Sequence, residues 1–240
     1  FYAGILNQGI FRSNDAGVTW TNVTNQITGT TSSPSNIKMS VGSGGTVFLY
    51  VVNTAGSTAT VWRSANNGAS WTQMDTPNVF LGSQGNIHGA ILADPANPNL
   101  VYIGGDRIAI FPFSGNLVRG DASAAAGAQF TSIVNASTAT GTAPHADARS
   151  MRIDASGNLI QGDDGGVYRR TLPSGSAGDW SSIGNNVQAM EIHSIAYNRN
   201  TDRLFAGTQD NGTQAQTAIA GTTWSLVFFG DGGVVQVNDT

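Results

Sequence analysis

The sequence predicts an all-β fold, a β-propeller of four-stranded antiparallel blades with about five blade equivalents in 240 residues. Three observations carry this reading. Apolar runs are short and separated by Gly, Ser, Thr and Asn; a strand–turn–strand segment ending in tryptophan occurs twice; and polar turns recur at a blade-length interval. With 11% of residues charged and 31 glycines, the composition is that of many strands joined by tight turns, with no room for long helices.

The repeated segment is Gly9-Ile-Phe-Arg-Ser-Asn-Asp-Ala-Gly-Val-Thr-Trp20, which returns as Thr60-Val-Trp-Arg-Ser-Ala-Asn-Asn-Gly-Ala-Ser-Trp71. Each copy reads as strand, turn, strand. The polar residues can bond their own backbone, Gly17 and Gly68 can take positive φ, and Trp20 and Trp71 are expected to face the core.

A second pattern is an alternating apolar strand, a short Asp/Asn/Gly/Pro turn, and an apolar strand ending in Gly and Asp. It occupies Ile87 to Asp106, Ala148 to Asp164 and Ile192 to Asp210. Joined, the two patterns give a unit of roughly 45–50 residues, the length of a blade. The blades are placed at 1–25, 36–75, 86–134, 147–184 and 191–229, with a further first strand at 233–237. Trp180 and Trp224 hold the place of the last-strand aromatic in the later units. The stretch from Gly115 to Gly127 reads as an insertion between strands. Strand 233–237 complements the three strands of residues 1–25, so the chain is a closed five-bladed ring or part of a larger ring of about six or seven blades.

A net charge of −4, with Lys38 the one lysine and no basic run, gives no footprint for nucleic acid. No apolar stretch approaches the roughly 20 residues of a membrane helix. The absence of cysteine removes disulfides, thiolate metal sites and cysteine nucleophiles. Together with abundant Thr, Asn and Gly it points to a secreted or cell-surface protein. The chain opens at Phe1 directly in a strand-like run and reads as a processed or excised piece, with further blades or domains in a longer chain.

Ser13-Asn-Asp-Ala-Gly-Val-Thr-Trp20 resembles the Asp-box (BNR repeat), S-x-D-x-G-x-x-W, of sialidases, sortilin-type propellers and xyloglucan-degrading glycoside hydrolases. Ser64-Ala-Asn-Asn-Gly-Ala-Ser-Trp71 matches it with Asn66 in the Asp position. His145-Ala-Asp-Ala-Arg-Ser-Met-Arg-Ile-Asp154, followed by Gly162-Asp-Asp-Gly-Gly-Val-Tyr-Arg169, is similar to a blade of sortilin-type propellers and of related bacterial exported proteins. In these families the box is a turn away from the active face. The resemblance therefore assigns Ser13, Asp15, Gly17, Trp20, Ser64, Asn66, Gly68 and Trp71 to structure, and Arg12, Arg63 and Arg169 to the polar side of a strand.

In an up-and-down blade, the start of the first strand and the end of the second fall at one end of the sheet. That places His88, His145 and His193, with Asp106, Asp147, Asp163, Asp164, Glu191, Asp210 and Asp231, at one mouth. Such residues suit a ligand site or the polar lining of a channel. His88, His145 and His193 in equivalent places are candidate ligands for a divalent metal. Asp163-Asp-Gly-Gly166 and Asp210-Asn-Gly212 offer oxygen ligands that make calcium a candidate, without EF-hand spacing. No other cofactor is indicated.

Two function classes follow. One is an extracellular recognition or assembly module for a glycan or protein ligand. The other is a glycoside hydrolase, in which Asp163 resembles a catalytic carboxylate of the xyloglucan-degrading family and Asp231 its partner, although the spacing after Asp231 departs from the family's. Aromatic residues to stack on a sugar are few at this mouth. A sialidase is disfavoured, since no arginine cluster surrounds Glu191 and an initial Arg-Ile-Pro strand is absent.

Overall fold

The structure is a computed structural model and describes residues 1–30, 32–184 and 191–238. It divides into two compact units, residues 1–163 with 167–183, and residues 164–166 with 184–240. Apart from single 3-10 turns at Ser43–Gly45 and Asn135–Ser137, the regular structure of the described residues is strand.

The first unit holds four antiparallel sheets in chain order. They are β1 (Tyr2–Ile5), β2 (Gly9–Arg12) and β3 (Thr21–Asn22); β4 (Asn36–Val41), β5 (Val47–Val52), β6 (Ala59–Ser64) and β7 (Thr72–Gln73); β8 (Ala90–Ala93), β9 (Leu100–Arg107), β10 (Gly115–Asp121) and β11 (Phe130–Ser132); and β12 (Ala148–Ile153), β13 (Leu159–Asp163), β14 (Gly166–Arg170) and β15 (Trp180–Ser182). Their first strands neighbour one another in turn, β1 beside β4, β4 beside β8, β8 beside β12. The second unit holds β16 (Ile192–Asn198), β17 (Arg203–Thr208), β18 (Gly212–Gln216) and β19 (Trp224–Phe228) as one meander. These five sheets are the blades of a β-propeller.

The second and third sheets stack on their neighbours because β5 and β9 are covered by apolar side chains on both faces. All six residues of β5 are buried. Val47, Leu49 and Val51 pack with Ile10, Val23, Ile27 and Trp71, while Phe48, Tyr50 and Val52 pack with Val79, Phe80, Val101 and Ile103. One sheet further on, Tyr102 turns the other way, toward Met151, Leu159 and Trp180. Period-two alternation thus assigns odd and even residues to different neighbours, and a continuous apolar run is what a strand covered on both faces requires. Each such side chain adds about 1.5–3 kcal/mol of burial.

Two polar devices tie one sheet to the next. The indole N–H of Trp71 donates to the Val23 carbonyl (2.8 Å), and that of Trp180 to the Ile133 carbonyl (2.8 Å), in each case just past the last strand of the preceding sheet. Arginines on β2, β6 and β10, each the strand before the last of its sheet, reach the other way. Arg12 donates to the Asn67 carbonyl (2.6 Å), Arg63 to that of Pro98 (3.0 Å), and Arg119 to that of Ser174. Trp20 departs from the expected core position. It is 44% exposed against 5% for Trp71, because within the first unit no sheet covers its side, and its indole folds back onto the Gly17 carbonyl (3.0 Å) of its own turn.

The turns are built by side chains. Ser13 Oγ accepts from the Gly17 amide (2.8 Å) and donates to Asp15, whose Oδ1 takes the Thr19 amide (2.9 Å). Ser64, Asn66, Gly68 and Ser70 repeat the same bonds at 2.8 and 2.9 Å, since Asn Oδ1 accepts as Asp does. In the later sheets longer side chains grip carbonyls instead. Arg170 donates to Gly178 (3.0 Å) and Gly175 (2.9 Å), and Gln216 to Gly221 (2.6 Å). This explains the fading of the Ser-x-Asp pattern in the sequence while a turn persists.

Two further expectations are corrected. Gly115 to Gly127 is largely strand, for β10 runs from Gly115 to Asp121 and only the remainder is loop. Residues 233–237 form no strand, and the first sheet has three. Gly230 and Gly233 take positive φ (92° and 53°) and bend the segment. It lies on its own unit, with an Asp231–Gly212 bridge and the Gly232 amide on the Thr208 carbonyl (2.8 Å).

Trp71→Phe leaves the Val23 carbonyl without its indole partner and should cost about 1–2 kcal/mol, whereas Trp20→Phe should cost less than about 0.5; urea unfolding of both variants checks the difference. Bonds from the Thr19 side chain, the Thr19 amide and Ser13 hold the exposed Asp15 carboxyl at a pKa of about 2. That depressed value means its contribution is fully present above about pH 4 and is lost as pH falls through about 2. Asp15→Asn, which copies the Asn66 turn, should therefore flatten this part of the acid limb in thermal unfolding measured between pH 4 and pH 2.

Candidate functional site

In the first unit the expected mouth is organised by Asp106 at the end of β9. Its carboxylate is fully buried and accepts the backbone amides of Gly82 (2.9 Å), Gln84 (3.1 Å) and Arg107 (2.6 Å). Three N–H donors satisfy a carboxylate that burial would otherwise penalise. The result is a shaped segment, 82–89, in which the Ile87 and His88 amides both turn back to the Gln84 carbonyl (3.1 and 2.9 Å).

That segment delivers His88 to Asp147. His88 is buried, and its Nε2 lies 3.4 Å from Asp147 Oδ1. Asp147 sits in the left-handed region (φ 67°) just ahead of β12, with its amide on the Asp106 carbonyl (2.9 Å). The Gly89 amide reaches the Ala148 carbonyl (2.7 Å) beside it. Asp106, His88 and Asp147 therefore form one connected frame at the joint of β8, β9 and β12. A carboxylate beside an imidazole fixes ring orientation and tautomer, and the pair supplies two donors to a divalent metal or a proton-transfer partner.

The remaining residues fall around or apart from this frame. Asp163 is paired with Ala148 across β12–β13, and its carboxylate accepts the Gln161 side-chain amide (2.9 Å). His145 is half-buried with Nδ1 3.2 Å from the Ala146 carbonyl. Asp164 begins the β13–β14 turn and is grouped with the second unit. That unit holds its own exposed cluster. His193 Nε2 meets Gln209 Oε1 at 2.9 Å and Glu191 at 3.9 Å, while Gln209 donates to Asp210 (3.1 Å) and Asp231 (3.0 Å). The three histidines are thus split, His88 and His145 in one unit and His193 in the other.

Sequence reasoning missed Gln209, which bridges that second cluster, and it undercounted aromatics at the first. The β9–β10 connection starts two residues after Asp106 and exposes Ile110 (74%), Phe111 (72%) and Phe113 (41%). Phe111 and Phe113 pack edge to face at 5.9 Å, and the Arg107 guanidinium lies 4.6 Å from the Phe113 ring centre. The signal was available as Ile110-Phe-Pro-Phe113 immediately beyond a mouth carboxylate.

Asp106→Asn turns an NH₂ group toward buried amide donors and should lower stability by about 2–3 kcal/mol. Loss of hydrogen-exchange protection concentrated in segment 82–89 is the accompanying measurement; uniform loss throughout the first unit would contradict the organising role given to Asp106.

No protein-family model matches the chain. A 110-residue stretch, 45% of the chain, is 33% identical to a protein named xyloglucanase from Hypocrea jecorina (strain QM6a) and covers 12% of it. Among solved structures, a GH74 enzyme of Niastella koreensis superposes on 95% of this chain and 35% of its own, with TM-score 0.51 and 13% identity. PorZ, described as a bacterial surface component of the type-IX secretion system of Porphyromonas gingivalis, superposes on 90% of this chain and 30% of its own, with TM-score 0.51 and 14% identity. The chain thus spans a small part of the curated relative and about a third of the solved ones. Similarity at this level assigns the fold, a β-propeller.

Proposed function

We propose that this propeller is a secreted or cell-surface recognition module that binds a glycan, with a protein as the alternative ligand, at the end of the blades bearing Asp106. The observation that carries the reading is the ordered aromatic loop. Phe111 and Phe113 are braced against each other and against Arg107 yet stand in water. An exposed apolar patch held in one shape loses little freedom on binding and gains by shedding water against the C–H face of a sugar ring or an apolar side chain.

The polar frame beside the loop supports binding over catalysis. Asp106 spends its oxygens on three backbone amides. A group so occupied positions a loop and does not shuttle protons. The second reading, glycoside hydrolysis through Asp163 and Asp231, is favoured by the partial match to a xyloglucanase and needs both carboxylates to flank one sugar. The Asp-box and sortilin-type resemblance of the turns fits either reading.

Xyloglucan is accordingly the first ligand to try. Affinity electrophoresis of the protein in xyloglucan and in other neutral and acidic polysaccharides, with reducing-sugar release measured in parallel, separates the readings. Phe111→Ala and Phe113→Ala should each weaken retention roughly tenfold, the equivalent of about 1.4 kcal/mol, with no sugar released. Retention unchanged in both variants would overturn the aromatic-loop site. Turnover that disappears in both Asp163→Asn and Asp231→Asn would replace recognition by hydrolysis.

A further inference from the structure

A cavity of about 270 Å³ lies along the first strands of three successive sheets, β4, β8 and β12. Its walls carry Lys38, Arg149 and Arg152 with Met39, Ile91 and Ser150, and no carboxylate is among the described residues that line it. In a chain of net charge −4 whose one lysine is Lys38, the meeting of three cations in one concavity is not a bulk property of the surface. Lys38 Nζ donates to the Gly89 carbonyl and Arg149 Nη1 to the Ile87 carbonyl (3.3 Å), so two of the cations are held on either side of His88. Burial, and then the charge of Arg149, hold the Lys38 ammonium below its ordinary pKa. Taking the half-buried Lys38 ammonium out of water beside a second cation costs free energy that a bound anion returns.

We propose that this cavity is a subsite for an acidic sugar, binding the carboxylate of a uronic acid residue through Lys38, Arg149 and Arg152. Its size matches one ring. A cavity of roughly 150 Å³ accommodates benzene, and pockets for larger ligands begin near 300 Å³. Met39 and Ile91 supply apolar wall for the ring, and guanidinium groups match the planar carboxylate. The subsite deepens the recognition reading above and rests on it, since it adds one acidic residue to the glycan that the module receives.

The test is isothermal titration calorimetry at low salt with D-glucuronate, D-galacturonate, D-glucose, D-xylose and inorganic sulfate as probes. The uronates should bind at least tenfold more tightly than the neutral sugars. Arg152→Gln, at an exposed side chain, and Lys38→Gln should each reduce uronate affinity about five- to tenfold, and Lys38→Arg should restore most of it. Neutral sugars binding as well as uronates, or uronate affinity unchanged in both Gln variants, would overturn the site. Sulfate binding as tightly as the uronates would leave a simple oxyanion site and overturn the sugar assignment. The two proposals fail separately. Uronate binding that survives Phe111→Ala while xyloglucan retention is absent removes the aromatic loop alone, and retention without uronate binding removes this cavity alone.

Discussion

Burial of second strands on both faces is the constraint from which the first unit takes its organisation. β5 and β9 contribute side chains alternately to the cluster before and the cluster after them. A residue in the middle of either strand has no route to water, and a charge placed there would be desolvated without a partner. Charged and polar side chains are therefore displaced to the strand ends, to the first strands and to the turns. The position of the candidate site follows from this. Asp106 stands where β9 runs out of apolar cover, and Lys38, Arg149 and Arg152 stand on first strands, which are less enclosed than second ones.

Much of the fold was legible because propeller sheets are built from local signals. Ser13-x-Asp15-x-Gly17 closes its hydrogen bonds within five residues, so the turn is written in contiguous sequence. Alternation along β5 and β9 is equally local. The misreadings concern contacts that sequence spacing does not encode. Trp20 and Trp71 occupy matching places in their motifs, and their burial differs because within the first unit only Trp71 has a preceding sheet against it. The Val-rich segment after Asp231 has strand composition, but the glycines around it bend the backbone away from a ladder. The Ala and Ser content of Gly115 to Gly127 suggested an insertion; in the fold its first part is strand, and the small residues there admit neighbours, the His145 carbonyl against Gly115 and the Phe130 ring against Gly120.

The candidate site was legible in outline for the same reason that its details were not. Counting strand starts and ends brings His88, Asp106 and Asp147 to one place, which is a topological inference. It cannot distinguish a carboxylate facing solvent from one consumed by three amides, and Asp106 is of the second kind. Nor does it show that Lys38, Arg149 and Arg152, scattered over more than a hundred positions in the sequence, line one cavity. Convergence of that sort depends on the angle at which successive sheets pack, a property of whole strands and not of any motif.

The segment between the two candidate subsites, 82–89, is where their physics meets. Asp106 holds its beginning through the Gly82 and Gln84 amides, while Lys38 and Arg149 hold its end through the Gly89 and Ile87 carbonyls. An anion in the cavity competes with those carbonyls for the same cationic donors, yet the grip of Asp106 is independent of the competition. His88 and Asp147 lie between these two anchorages. Because three of the anchoring residues, Lys38, Asp106 and Arg149, belong to β4, β9 and β12, the segment is positioned by the rigid part of the unit even though it is itself a connection. A recognition surface assembled in this way keeps its shape while its charge is being neutralised, which is the property a selective site for an acidic ligand requires.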